Sequence, residues 1–117
     1  MFSVIFPGQG SQVVGMGKVF LSKYSLVKKL FEEADDVLKF SLSKLILEGP
    51  KDELDLTVNT QPAIFLISYS IFNIIKEEFN IDLNRAKYFA GHSLGEYSAL
   101  SCAGYINFSE TIKLLRT

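Results

Sequence analysis

The feature that most constrains this chain is a five-residue motif in its last third, Gly91-His92-Ser93-Leu94-Gly95. A short apolar run at 88–90 precedes the motif, and a segment able to form a helix follows it. The order strand, G-x-S-x-G, helix is typical of a nucleophile elbow. A chain that reverses sharply from a strand into a helix has no room for bulky side chains two residues either side of the turn. The motif therefore predicts an α/β fold with Ser93 exposed at a helix N-terminus.

Ser93 also has a simpler interpretation. Ser93-x-x-Glu96 is a capping-box pattern, in which the serine only satisfies free N–H groups at the start of the helix. The nucleophile interpretation is favoured by the apolar run, both glycines and the small residues Ala99 and Ala103, taken together. Free N–H groups and the helix dipole at this position would stabilise negative charge on an attacked carbonyl.

Composition limits the classes of protein. The chain has 117 residues, of which 48% are hydrophobic and 21% charged, so we expect one globular domain. A net charge of −1 gives no electrostatic support for binding nucleic acid or a membrane surface. The single cysteine, Cys102, predicts neither a disulfide nor a metal cluster, and indicates a reducing, cytoplasmic setting. The most apolar stretch, residues 63–75, is expected to be too short to span a bilayer.

Apolar periodicity divides the remaining chain into strands and helices. The predicted elements are a buried strand at 2–6, an amphipathic helix at 25–40 with a solvated charged face, a short helix at 43–47, a solvated helix start at 51–54, a long helix at 61–79 capped by Thr60, a strand at 88–90 and a last helix beginning at Ser109. The alternation predicts a parallel sheet. The long helix is apolar on nearly every face, which is typical of complete burial. Two strands are too few to flank it, so the chain looks like the front part of a larger fold.

Four glycines between residues 8 and 17 suggest a close approach of the backbone to something. A dinucleotide-binding fingerprint would need Gly or Ala where Val13 stands. A phosphate-binding loop would need Lys where Met16 stands. Both nucleotide patterns therefore fail, and an ordinary turn is the simplest alternative.

Three segments together resemble the malonyl-CoA:acyl carrier protein transacylase family: residues 6–12 (FPGQGSQ), 60–63 (TQPA) and 91–100 (GHSLGEYSAL). The resemblance extends over the whole chain in the family's order. It implies an α/β-hydrolase-like core in which residues 1–117 are the N-terminal part of the acyl transferase domain, without the smaller ferredoxin-like subdomain. It also implies transfer of a malonyl group from coenzyme A to the phosphopantetheine thiol of acyl carrier protein, feeding fatty acid synthesis.

The resemblance assigns roles to individual residues. Ser93 matches the nucleophile that carries the malonyl ester, and the backbone N–H groups of Leu94 and Gln9 match the oxyanion donors. Gln61 is placed near the site, although a plain helix-start residue is an equal interpretation. His92 is interpreted as packing, because neighbouring residues on a strand point to opposite sides and the family's base is a different, downstream histidine.

The resemblance also shows what this sequence lacks. The histidine base and the arginine that binds the malonyl carboxylate would fall beyond Thr117, and Arg116 stands two residues too early for the second role. The expected ligands are malonyl-CoA and acyl carrier protein, with no metal and no cofactor other than the coenzyme A thioester as substrate.

Two other functions stay open. A serine thioesterase or esterase shares G-x-S-x-G, although the segment at 6–12 argues against it. A non-catalytic module that binds coenzyme A or a carrier protein would fit a chain without the histidine base.

Overall fold

A computed structural model describes residues 3–6, 12–78, 88–91, 98–99, 101–102, 104 and 106–116. The elements with defined bounds are β1 (Ser3–Phe6), α1 (Lys18–Lys23), α2 (Ser25–Leu38), α3 (Leu42–Glu48), α4 (Lys51–Leu54), α5 (Thr57–Glu78), β2 (Tyr88–Gly91) and α6 (Phe108–Arg116). Residues 98–99 and 101–102 are also helical. The core brings together α2, α3, α5 and α6 around side chains such as Phe31, Ile46 and Phe65.

The two strands lie where the apolar runs predict them, and they pair in parallel. Ser3 lies opposite Tyr88, and Phe6 lies opposite Gly91. Parallel neighbours that are far apart in sequence need a long crossover, and the helices α1 to α5 lie in the chain between these strands. Because Phe6 and Gly91 are paired, both strands end at the same edge of the sheet.

Helix α2 carries its apolar stripe against the core through Val27, Phe31 and Ala34. It ends at Leu38 rather than at Phe40, because Lys39 adopts a left-handed conformation with φ 53°. The left-handed residue is a common helix stop, and it turns the chain toward α3.

The charged face of α2 is exposed as predicted, with one exception. Asp35 is half-buried, and its Oδ1 accepts a hydrogen bond from the backbone N–H of Ser43 at 2.9 Å. Its other oxygen, Oδ2, accepts the Ser43 hydroxyl. Asp35 thus stabilises the first turn of α3, and interpreting the whole charge run as solvent-facing was wrong for this residue.

Helix α5 begins four residues earlier than the sequence predicts. The carbonyl of Leu56 accepts the N–H groups of Asn59 and Thr60, both at 2.8 Å, so Thr60 already lies within the helix. The Thr60 hydroxyl donates to the carbonyl of Leu54 instead of capping α5. Pro62 lies inside the helix and not in its first turn. The predicted cap at Thr60 was therefore wrong, since the preceding turn of α4 takes its hydroxyl.

Burial of α5 on nearly every side is confirmed. Its buried apolar residues include Ala63, Ile64, Phe65, Leu66, Phe72 and Ile74. The helix has 22 residues, which is longer than the sequence suggests, and Thr57–Glu77 meets the length and composition of a membrane span with a mean hydropathy of 1.2. However, 61% of the apolar stretch in this segment is buried inside the protein, and the buried core helix of a soluble protein can have the same length and composition.

The last described helix, α6, starts at Phe108, one residue before the predicted start. Asn107 Oδ1 accepts the N–H of Glu110 at 2.8 Å, which caps the helix. Phe108 packs against two aromatic rings of α5, with ring centroids 5.5 Å from Phe65 and 4.9 Å from Tyr69. These contacts hold α6 against the central helix.

Candidate active site

The paired strand ends define the place of the candidate site. The C-terminal residues of β1 and β2, Phe6 and Gly91, are register partners, so both strands end at the same edge of the sheet. The glycine-rich segment starts directly after β1, and the G-x-S-x-G motif runs on from Gly91. In parallel α/β sheets the edge at the carboxyl ends of the strands is where ligands usually bind. The two motifs therefore begin side by side.

The predicted site residues themselves are Gln9, Ser93 and Leu94. All three lie outside the described residues, as does His92. The nucleophile elbow and the oxyanion donors thus stay predictions.

The elements on either side of the motif are both described. Strand β2 ends at Gly91, and the next residues that the structure describes, 98–99, are helical. Ser98, Ala99, Ser101 and Cys102 are all buried. Ala99 and Cys102 form a cluster with Phe72 of α5, so the helix that follows the motif is packed against the central helix.

The C-terminal side of the glycine-rich segment is anchored at three described points. Gln12 Nε2 donates to Asp55 Oδ1 at 3.1 Å. The N–H of Gly15 donates to the carbonyl of Ile46 at 2.7 Å. A Cβ added at Gly17 would lie 2.5 Å from Ile67 Cδ1, so the end of the Ile67 side chain would have to shift, and the φ of +79° favours glycine in any case. The close approach that the glycines predict is therefore confirmed at Gly17, and its neighbour is a helix.

Two hydrogen-bond donors lower the pKa of the Asp55 carboxyl group. The side-chain hydrogen bond from Lys51, with Nζ 2.6 Å from Oδ2, lowers the pKa of Asp55, and the hydrogen bond from Gln12 lowers it further. The same contact raises the pKa of Lys51. Asp55 therefore keeps its charge at neutral pH and offers one oxygen to each donor. Sequence reasoning missed this residue because its partner Gln12 lies 43 positions away.

Burial shifts the pKa of two side chains in or beside α5, Cys102 and Tyr69. Burial raises the pKa of the Cys102 thiol to about 12, and Lys76 opposes this shift only in part. Burial also raises the pKa of Tyr69. Among the described residues, no group of three or more His, Cys, Asp or Glu side chains lies close enough to hold a metal ion.

Arg116 is engaged in packing. Its guanidinium carbon lies 3.9 Å from the ring centroid of Phe40, a cation–π distance. Its Nη2 donates to Asn59 Oδ1 at 3.4 Å. Both contacts tie the end of α6 to neighbouring elements, and they give Arg116 a structural role.

Comparison with known proteins places this chain in a family. The family model for the acyl transferase domain matches residues 3–117. The malonyl CoA-acyl carrier protein transacylase of Bacillus subtilis is 48% identical over 112 residues, which cover 96% of this chain and 27% of that protein. The corresponding protein of Haemophilus influenzae is 45% identical over 114 residues, covering 97% of this chain and 36% of the relative.

Solved structures agree. The acyl-carrier-protein-S-malonyltransferase of Bartonella henselae superposes with a TM-score of 0.92 at 44% identity, over 99% of this chain and 37% of that structure. A type II polyketide acyl carrier protein in complex with its malonyl-transacylase contains a similar chain, with a TM-score of 0.88 and 42% identity over 98% of this chain and 36% of that one. The chain thus spans about a third of the length of the relatives that it matches.

Proposed function

This chain belongs to the acyl transferase domain family, and on that premise we propose that the natural protein transfers a malonyl group from malonyl-CoA to the phosphopantetheine thiol of an acyl carrier protein. The observation that carries the proposal is the pairing of Phe6 with Gly91. It starts the glycine-rich segment and the serine motif at one edge of the sheet, where two oxyanion donors from different loops can converge. The names of its relatives support malonyl-CoA and acyl carrier protein as the ligands.

In the proposed first half-reaction the Ser93 hydroxyl attacks the thioester carbonyl and gives its proton to a base. The carbonyl oxygen becomes an oxyanion, to which the N–H groups of Leu94 and Gln9 donate. Collapse of the tetrahedral intermediate breaks the carbon–sulfur bond. Coenzyme A leaves as the thiol after protonation, and the malonyl group stays on Ser93 as an ester.

The second half-reaction runs the same steps in reverse with a different thiol. The phosphopantetheine sulfur attacks the ester carbonyl, the carbon–oxygen bond to Ser93 breaks, and the serine recovers its proton. We infer that a histidine outside these 117 residues is the base, because the only histidine here, His92, belongs to the motif. An arginine outside them would bind the malonyl carboxylate in bidentate fashion.

The described residues support a serine rather than a cysteine nucleophile. Cys102 is the only cysteine, and its pKa of about 12 keeps it as an inert thiol at neutral pH. We propose fatty acid synthesis in the cytoplasm as the setting, with neither a metal nor a further cofactor. The carrier-protein complex among the relatives makes polyketide synthesis the alternative destination.

The proposal is tested by transfer of labelled malonyl from malonyl-CoA to purified acyl carrier protein, using the natural full-length protein. We expect labelled carrier only when the carrier bears phosphopantetheine, and much slower transfer from acetyl-CoA. Replacing Ser93→Ala should abolish transfer. Steady release of free malonate without carrier-dependent transfer would instead indicate a thioesterase. Binding of malonyl-CoA with neither product would indicate a non-catalytic module.

A further inference from the structure

Three large apolar side chains are exposed around the turn between α4 and α5. Val13 is 64% exposed, Leu56 55% and Val58 39%. Leu56 directly precedes α5, and Val58 lies in the first turn of that helix. The 3.1 Å hydrogen bond from Gln12 Nε2 to Asp55 Oδ1 joins the residues before Val13 and Leu56, so both side chains belong to neighbouring stretches of one surface. We call these three side chains the α5 patch.

Asp55, the carboxylate next to Leu56 in the chain, is already paired. Lys51 Nζ lies 2.6 Å from its Oδ2, and Gln12 donates to its Oδ1. The charge of Asp55 is therefore balanced within this chain. A segment that packed on the α5 patch would meet apolar side chains beside a satisfied carboxylate, so the patch favours an apolar occupant over a charged one.

The C-terminal end of α6 lies beside the α5 patch. Arg116 is the last residue of α6, and its Nη2 donates to Asn59 Oδ1 at 3.4 Å. Asn59 directly follows Val58. The guanidinium of Arg116 also stacks on the Phe40 ring at 3.9 Å, so this end of the helix is held by two contacts. A polypeptide that continued from α6 would therefore leave close to Val58.

We propose that the α5 patch is an internal interface of the natural protein, covered by an apolar segment from outside residues 1–117. The chain covers only 36% of its Haemophilus influenzae relative and 37% of the Bartonella henselae structure, so a protein of their length has ample further polypeptide. A tethered segment has a far higher effective concentration than a separate molecule. Clustered apolar side chains left in water mark such interaction surfaces. The inference does not rest on the proposed reaction.

The first test is photocrosslinking in the natural full-length protein. The photoreactive amino acid p-benzoylphenylalanine is placed at position 56 in place of Leu56, the protein is irradiated, and peptide mass spectrometry maps the product. We expect a crosslink within one chain, from position 56 to an apolar residue outside residues 1–117. The same probe in place of Glu32, on the exposed charged face of α2, should give no such crosslink.

The second test compares one substitution at two exposed valines of the same full-length protein. Val58→Asp should lower the unfolding temperature by about 5 °C or more, because a carboxylate would lose its hydration at the interface. Val19→Asp makes the same change on α1, none of whose residues is buried, and should shift the unfolding temperature by less than about 2 °C. The crosslinking result stands independently if Val58→Asp does not fold.

Several results would overturn the inference. Crosslinks from position 56 only to a second copy, or only to added acyl carrier protein, would give the α5 patch a different occupant. Equal crosslinking from positions 32 and 56 would show that the patch is not selectively covered. Equal shifts for Val58→Asp and Val19→Asp would show that Val58 stays in water. A natural protein of only 117 residues would have no further segment to cover the patch.

Discussion

At the scale of single residues, burial decides which groups can react. Cys102 is 8% exposed and packs beside Phe72 and Ala99. A thiolate in these surroundings would lose its hydration, so the pKa of the thiol rises from its ordinary 9.0 to about 12. The residue is therefore expected to be unreactive at neutral pH, although it lies in the helical segment that follows the serine motif in the chain.

This predicts a clear difference in alkylation. Iodoacetamide at pH 8 should leave Cys102 of the native protein unmodified and should modify it rapidly in urea. The raised pKa also stabilises the folded state fully only below pH 9.0, and this contribution is lost as the pH rises through about 12, because the unfolded thiol ionises first. Mass spectrometry of the peptide that contains Cys102 measures the extent of alkylation. Alkylation of the folded protein at the rate of the unfolded one would contradict this account.

At the scale of elements, the position of α5 depends on how closely its neighbours approach. Gly17 adopts φ +79°, and a Cβ there would meet Ile67 Cδ1 at 2.5 Å. Gly15 adopts φ +89° with no atom within 4 Å of such a Cβ. The two glycines share the backbone requirement, and they differ in the space around them.

Substituting Gly15 and Gly17 in turn therefore separates the cost of backbone strain from the cost of crowding a neighbouring side chain. Gly15→Ala should lower the free energy of unfolding by about 1 kcal/mol, since only the left-handed backbone is disfavoured. Gly17→Ala should cost more, by up to about 1 kcal/mol, because the end of the Ile67 side chain must also shift to make room for the new Cβ. Urea unfolding of both variants in the same protein checks the difference, and Ile67→Val in the Gly17→Ala background should recover part of it. Equal losses at both glycines would show that Ile67 yields freely.

How well the elements follow from the sequence depends on whether their determinants are local. The apolar stripe of α2 and the all-round apolar α5 reveal themselves by periodicity, since burial fixes which positions must be apolar. Helix α1 gives no such signal, because none of its residues is buried and Val19 is 72% exposed. The start of α5 was misplaced because the Thr60 hydroxyl binds Leu54 and not its own helix.

How much of the candidate site follows from the sequence also depends on whether its determinants are local. The two strands and the motifs after them are readable from the sequence, because strand, glycine and serine follow one another directly. The Gln12–Asp55 contact and the role of Asp35 are not readable, because each depends on a partner brought close only by the fold. Polar contacts between distant residues leave no periodic trace in a single sequence.

At the scale of the whole molecule, two motifs far apart in the chain start at one edge of a parallel strand pair. The helices between the strands supply most of the core and the anchors at Gln12, Gly15 and Gly17. We propose that this arrangement serves one chemical event, the formation of a malonyl ester on Ser93. All other parts of the proposed reaction depend on that ester.

The most direct measurement is peptide mass spectrometry of the natural full-length protein after brief mixing with malonyl-CoA and acid quenching. We predict that one malonyl group is added and that fragmentation assigns it to Ser93. Ser101→Ala, a buried serine on the following helix, should retain the label, and Ser93→Ala should lose it while still unfolding at the wild-type temperature. A malonyl group on another residue, or an unlabelled protein that nevertheless transfers malonyl to the carrier, would contradict the account.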